Sequence, residues 1–465
     1  MARDLRRMPE FGIRPIGFLD DNPAKGPALG LPVLGRISDL RRIAVEHGVD
    51  VVIVAIPSLP AARIRLLAEA ASAAGVAVRY LPSFVAALER DARVSDLRRL
   101  RVDRLLGREE VHVMRMNSRE VVEGKRVLVT GAGGSIGSEL CRQINGFDPS
   151  ALYMLDHDES NLHRLQMQLH GEALLDTDDL IMADIRDRER IDQLFEDLHP
   201  QVVFHAAAHK HLPLLEHNPC EGVKSNVLGT KTLVEAADRT GAERFILIST
   251  DKAADPTSIL GATKRLAEMI VQAHRSRPTR FASVRFGNVL GSRGSFLSIL
   301  SEQMENGDEV TVTHPEVTRF FMTVEEAVGL VIEAASMAES GETFVLDMGE
   351  PVRIVDLVRN YAEQVHFGEQ DVRIRFTGLR RGEKLNEALF SEREERFATD
   401  HPKIWATRSR PLADDFEFRL EDLFVAAQAN RRDAVLSCLS TILPEYTAPP
   451  ADEPVVLDAP YPDGF

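Results

Sequence analysis

The sequence predicts an α/β protein: a Rossmann-type, doubly wound parallel sheet with a smaller C-terminal substrate-binding α/β region and a separate N-terminal α/β domain. Three observations carry that expectation. Short apolar runs alternate with helix-like stretches from Lys125 onward. Gly131, Gly134 and Gly137 follow the first run at three-residue spacing. At 465 residues the chain exceeds one compact unit.

Residues 1–95 read as an α/β unit, with strands at Arg14–Asp20 and Val49–Ala55 and an apolar-periodic helix at Ala61–Gly75. A linker at 96–122 holds a basic cluster, Arg98-Arg99-Leu100-Arg101 and Arg104. A Rossmann domain is expected over 123–290, and a substrate-binding region, partly interleaved with it, over 291–445. The tail, 446–465, is rich in proline and acid and reads as disordered.

Within the Rossmann stretch, Lys125–Thr130 is a strand, the glycines form a turn, and Ser138–Gln143 continues as helix. Glycine at the first position permits a tight turn, at the second a close approach to a pyrophosphate, and at the third helix-on-strand packing, while the helix N-terminus favours the phosphate charge. Gly131, Gly134, Ser135, Ile136 and Gly137 are therefore candidate cofactor residues. The next run, Leu152–Leu155, ends at Asp156, placed to accept from the adenosine ribose hydroxyls and to repel a 2′-phosphate, which favours NAD over NADP. Asp158 and Glu159 are alternatives for that role. Asp184 and Ile185 follow Leu180–Ala183 at the adenine edge, Ala206 and Ala207 follow Val202–Phe204 and leave room for a cofactor, and Asn226 stands on the next helix. Phe245–Ser249 presents Thr250-Asp251-Lys252, and ligands of open parallel sheets bind at such carboxyl ends.

Eight residues after Lys252 comes Leu260-Gly261-Ala262-Thr263-Lys264, where short-chain dehydrogenases carry Tyr-x-x-x-Lys. Together with Leu105–Arg108, the Val129–Leu140 glycine block, His205–His211, Ser249–Arg265, Arg285–Ser292, Thr313–Met322 and Gly378–Leu385, these residues make the chain resemble the nucleotide-sugar 4,6-dehydratases of bacterial polysaccharide and capsule biosynthesis, in the extended short-chain dehydrogenase/reductase superfamily. It is most similar to the long-form UDP-N-acetylglucosamine 4,6-dehydratases, which also lack the tyrosine and usually carry methionine there. Two departures bear on loop shape: Arg381 stands where the family has proline, and Asn386 where it has an aromatic.

The resemblance implies an enzyme, a lyase, that uses NAD to oxidise the C4 hydroxyl of a UDP-sugar, eliminates water across C5 and C6, and reduces C6. It implies Lys252 as the C5 base, Asp251 as the C6 acid, Lys264 as an anchor of the nicotinamide ribose, and Lys210 near the sugar or diphosphate. Arg380 and Glu383 would hold phosphate and uridine ribose. Arg319, before Phe320-Phe321-Met322, is suited to a bidentate grip on a diphosphate. Thr313 and Asn288 complete the substrate set. Leucine cannot accept the C4 hydroxyl proton, so that base is either Asp251 or a water held by Thr250 and polarised by Lys264. The rival readings are a UDP-sugar epimerase or reductase, which needs the tyrosine, and a catalytically inactive nucleotide-sugar-binding protein.

Composition agrees. The formal net charge of −16 argues against a nucleic-acid binder. No apolar run reaches transmembrane length, and three scattered cysteines suit a reducing, cytoplasmic compartment. His209 and His211 flank Lys210, but no third ligand stands at useful spacing, so no metal is expected. Long-form relatives carry transmembrane helices ahead of a complete N-terminal nucleotide fold. The first unit here begins without the first strand and glycine turn of that fold, so it is read as an oligomerisation or docking domain of a homo-oligomer that binds no nucleotide. Membrane attachment would follow only from a longer natural chain, making this the cytoplasmic part of an inner-membrane protein.

Overall fold

A computed structural model describes residues 16–21, 31–54, 71, 76–80, 116–171, 175, 177–290, 296–306, 309–365, 372–408 and 411–447. The chain divides into a smaller unit, Met1–Arg101 with the short segments His170–Glu172 and Glu363–Phe367, and a larger one made of the rest.

In the first unit, β1 (Phe18–Leu19) pairs in parallel with β2 (Val33–Gly35), and β3 (Val51–Val54) with β4 (Ala77–Tyr80). Helix α1 (Leu40–His47), which the sequence reading did not anticipate, buries Leu40, Ile43 and Ala44 at i, i+3 and i+4 and ends on Gly48 in the left-handed conformation. Of the helix expected at Ala61–Gly75, only Ala71 is described; the rest, the 96–115 part of the linker and the matched segment Leu105–Arg108 lie outside the described residues.

The larger unit is built on strands β5 (Arg126–Thr130), β6 (Ala151–Asp156), β7 (Leu180–Met182), β8 (Val202–His205), β9 (Arg244–Ile248) and β10 (Arg280–Arg285). After them come β11 (Asn288–Leu290), β12 (Val310–Val312), β13 (Thr318–Arg319), β14 (Phe321–Thr323), β15 (Glu342–Leu346), β16 (Val352–Arg353), β17 (Ile374–Phe376), β18 (Glu395–Ala398) and β19 (Ile404–Arg408). Nine of these form one sheet, ordered β18-β19-β15-β10-β9-β8-β5-β6-β7. It is parallel from β7 to β15, and β19 and β18 close it antiparallel. Strand order reverses between β5 and β8, where an open α/β sheet forms its ligand crevice. The core strands are buried on both faces, with Val127–Val129, Val202–Phe204 and Phe245–Leu247 at or below 1% exposure, which is why they read as continuous apolar runs.

Helices α2 (Ser135–Asn145), α3 (Glu159–His170), α4 (Arg188–Leu198), α5 (Gly229–Thr240), α6 (Ile259–Ala273) and α7 (Val324–Met337) cover the two faces. The 291–445 stretch interleaves with the Rossmann unit: β15, β18 and β19 belong to the main sheet, and α8 (Phe416–Gln428) with α9 (Arg432–Ile442) packs Phe416, Leu420, Leu423 and Leu439 into the core shared with α5 and α6. Outside the main sheet lie the small pairings β11–β14, β12–β17 and β13–β16. The tail does not begin at 446, because Tyr446 is buried in that same core and the Thr447 N–H donates to the Pro256 carbonyl; 448–465 lie outside the described residues. Among the described residues no helix is long and apolar enough to cross a membrane.

Candidate active site

The crevice starts where β5 ends. Gly131 takes φ +67°, and a methyl group on it would sit 2.6 Å from the Ala207 backbone, so only glycine lets the loops after β5 and β8 meet. A methyl on Gly137 would run into the Gly131 carbonyl, and α2 can start this close to β5 only without one. Gly131, Gly134, Asp156, Asp184, Ile185, Ala206 and Ala207 line a single cleft of about 220 Å³. The other five expected cofactor residues, Ser135, Ile136, Gly137, Asn226 and Lys264, do not line it. Ser135 opens α2, Ile136 packs against the core, and Asn226 is buried in a π-helical turn (Val223–Leu228). The Asn226 amide is spent elsewhere: it accepts from the His209 N–H (2.8 Å) and donates to the His209 carbonyl (3.1 Å) and to Thr263 Oγ1 (3.1 Å). It ties the loop after β8 to α6.

Asp156 closes the cleft beside the glycine loop. Its Oδ2 accepts from the Gly133 N–H (2.9 Å) and its Oδ1 from the Asp158 N–H (3.0 Å), so one carboxylate shapes the loop and faces the cleft. Asp184 is gripped by Arg186, whose Nε and Nη2 donate at 2.7–3.0 Å. Burial pushes the Asp184 carboxyl up, but Arg186 outweighs it and holds the value below normal. The sequence reading missed Arg186, a guanidinium at the expected adenine edge.

The second half of the site lies past β9. Thr250 Oγ1 and Lys252 Nζ both donate to Asp251 Oδ1, each at 2.9 Å, and Lys252 Nζ also donates to Asn288 Oδ1 at 3.3 Å. Asp251 is wholly buried, and its Oδ2 has no hydrogen-bond partner. Burial works against the Lys252 charge, yet Asp251 and Glu387 together raise its pKa above the ordinary lysine value. Glu387 stands two residues beyond the Gly378–Leu385 block and was not singled out; a buried acid in a nonperiodic loop leaves no local signal.

Helix α6 docks tightly on this turn, since a methyl on Gly261 would collide with the Lys252 carbonyl. Lys264 is buried and donates from Nζ to the Ile248 carbonyl (2.6 Å); burial, opposed by Glu268, brings its pKa down to about 8. Leu260 packs in the apolar core at 6% exposure. A phenol would overfill that space, so Leu260→Tyr should lower turnover severalfold, while the near-isosteric Leu260→Met should be close to neutral. A tenfold gain with tyrosine, about 1.4 kcal/mol off the barrier, would instead mark a decayed tyrosine enzyme.

The expected substrate residues converge differently from expectation. Arg319 is 6% exposed, and its Nη1 and Nη2 donate to the Glu383 carboxylate (2.6 Å) and to the Thr318 and Leu385 carbonyls. These bonds pin the 378–389 loop to β13. Glu383 is the hub, accepting also from Thr313 Oγ1 (3.1 Å) and the Arg380 N–H (3.1 Å). The Arg380 side chain is exposed, as is Lys210 in the loop after β8. Among the described residues no group of three metal-ligating side chains is found. His205 hydrogen-bonds Thr130 and Thr230 through its two ring nitrogens, and burial depresses its pKa to about 3. A larger groove, about 1010 Å³, is lined by Lys125, Glu243 and Arg280 at the opposite, amino ends of the strands, away from these groups.

Residues 127–409 match the family described as "polysaccharide biosynthesis protein", and residues 1–82 a family described as "CoA-binding domain". The chain is 43% identical over 439 residues to the probable polysaccharide biosynthesis protein EpsC of Bacillus subtilis, covering 91% of this chain and 73% of that one. It is 28% identical over 289 residues to the UDP-N-acetylglucosamine 4,6-dehydratase (inverting) of Campylobacter jejuni, covering 61% and 82%. Among solved structures it is similar to Pen from Bacillus thuringiensis, with a TM-score of 0.57 and 32% identity over 62% of this chain and 90% of that one.

Proposed function

The chain belongs to the polysaccharide biosynthesis protein family, and from that premise we propose that it is an NAD-dependent nucleotide-sugar 4,6-dehydratase acting on UDP-N-acetylglucosamine. The observation that carries this reading is the Asp251–Lys252 pair, with Asp251 buried and its Oδ2 without a hydrogen-bond partner, and an apolar residue, Leu260, where an epimerase needs its phenol.

The cleft fits NAD. Gly131 and Gly134 leave room that a Cβ would take, Ala206 and Ala207 offer a small-residue floor, and Asp156 sits where a ribose diol needs an acceptor. Bound there, NAD supplies the oxidant for C4 and the reductant for C6.

The protein's own groups handle protons. Asp251 takes the C4 hydroxyl proton on Oδ2, since Thr250 directs its hydroxyl hydrogen to Oδ1 and Lys264 is committed to Ile248. The resulting carboxylic acid then protonates the departing C6 oxygen, so one residue carries one proton from O4 to O6. Lys252, as the amine, removes the C5 proton once C4 is a ketone and later returns it to C5. Asn288 Oδ1 accepts from its Nζ and helps hold it in place.

Incubation with UDP-N-acetylglucosamine and NAD should yield water and a 4-keto-6-deoxy sugar nucleotide, read by mass and NMR; a C4-epimerised product, or none, rejects the assignment. Cofactor choice has its own test. Asp156→Arg should shift the calorimetric NAD to NADP affinity ratio by about tenfold or more towards NADP, replacing repulsion of the 2′-phosphate by attraction. An unchanged ratio moves the ribose contact to another residue.

A further inference from the structure

Glu387 is a buried acid beside Lys252 with no part in the proton transfers above. Its side chain is 3% exposed, its Oε1 lies 4.0 Å from Lys252 Nζ, and its Oε2 has no hydrogen-bond partner. It approaches Lys252 from the 378–389 loop, across from Asp251. We propose that Glu387 is a positioning residue for the dehydration, its carboxylate giving Lys252 the basicity needed to take the C5 proton. This rests on the dehydratase reading.

The proton count explains the need. When the C5–H bond breaks, its proton goes to Lys252 Nζ. The electron pair becomes the C5–C6 double bond as the C6–O bond breaks, and the oxygen leaves as water with the proton held by Asp251. While Asp251 still holds that proton it is neutral, and a new ammonium at Lys252 would face no negative charge from it. Glu387 is then the anion within reach. The other charged groups facing the pair are Arg319 and Lys384, both cations, and each is directed elsewhere: Arg319 to Glu383 and Lys384 to the Ala254 carbonyl. Burial, more than its charged neighbours, raises the Glu387 pKa, and Lys252 opposes that rise. Removing the carboxylate should therefore make Lys252 lose its proton at lower pH and leave it a weaker base.

Exchange at C5 isolates this step. The UDP-4-keto-6-deoxy sugar in D2O exchanges its C5 proton through Lys252 without oxidation at C4 or loss of O6, and NMR follows it against pH. In Glu387→Gln the limb along which exchange rises with pH should move down by about one unit, and the alkaline plateau should fall roughly threefold or more, with KM unchanged. Glu387→Asp, which keeps the charge on a shorter stem, should move the limb in the same direction by less. A limb fixed at the wild-type pH in both variants, with the rate merely lower throughout, overturns the proposal and leaves Glu387 a packing residue. Wild-type protein that exchanges no C5 proton and forms no 4-keto-6-deoxy product sinks the dehydratase reading, and this inference with it.

Discussion

Lys252→Met should lower dehydration by roughly a thousandfold or more, the scale of losing a general base, while NAD affinity stays at the wild-type value. The split follows from placement. Lys252 Nζ touches Asp251 and Asn288, whereas the residues that line the cleft proposed for NAD lie past β5, β6, β7 and β8. Methionine keeps length and apolar stem but cannot take a proton. Asp251→Asn should fail as severely, because an amide neither accepts the O4 proton nor delivers it to O6. Wild-type turnover in Lys252→Met, followed by product formation, ends the assignment of the base; calorimetry with NAD alone shows whether the loss came from binding.

Arg285→Leu should cost about 3–5 kcal/mol of stability, the range for stripping one partner from a buried ion pair. Arg285 is wholly buried at the end of β10, donates to both oxygens of Glu268 and of Glu394, and also to the Leu389 carbonyl. Leucine would leave two buried carboxylates short of their counter-charge. Burial raises the Glu268 pKa, but Arg285 outweighs it and holds the value below normal. A depressed carboxyl contributes stability above its unfolded value, and that contribution is lost as pH falls through the folded value. The gap in melting temperature between wild type and variant should therefore be wide at neutral pH and shrink as the pH falls below about 4. A gap independent of pH would mean that packing, and not charge, is what Arg285 supplies.

The glycine turn, the strand-end residues Asp156, Ala206 and Asp251, and the alternation of the main sheet were legible because each depends on chemistry within a few neighbouring residues. Gly137 is glycine for a contact only six positions back along the chain. What the sequence hid depends on chain segments that meet only in the folded protein. The Arg319–Glu383 pair spans 64 positions, and nothing local says that the two side chains meet. Glu387 finds Lys252 from 135 residues away, and Asn226 looked like a cofactor ligand until its amide was seen clasping the His209 backbone. The C-terminal helices α8 and α9 were not singled out in the sequence, because an amphipathic stretch shows that a face is buried without showing against what. The short α1 escaped for lack of length.

Leu260 has a consequence for descent. Its side chain is enclosed by the same core that holds Ile259, Ala262 and Leu266, so the space at this position is closed to a ring by its neighbours. A lineage in that condition sits behind a ratchet: tyrosine fits only after several surrounding positions have shrunk, and each of those changes on its own opens a cavity that selection removes. Descendants are free to exchange leucine for methionine, yet a phenol at this position stays several steps out of reach.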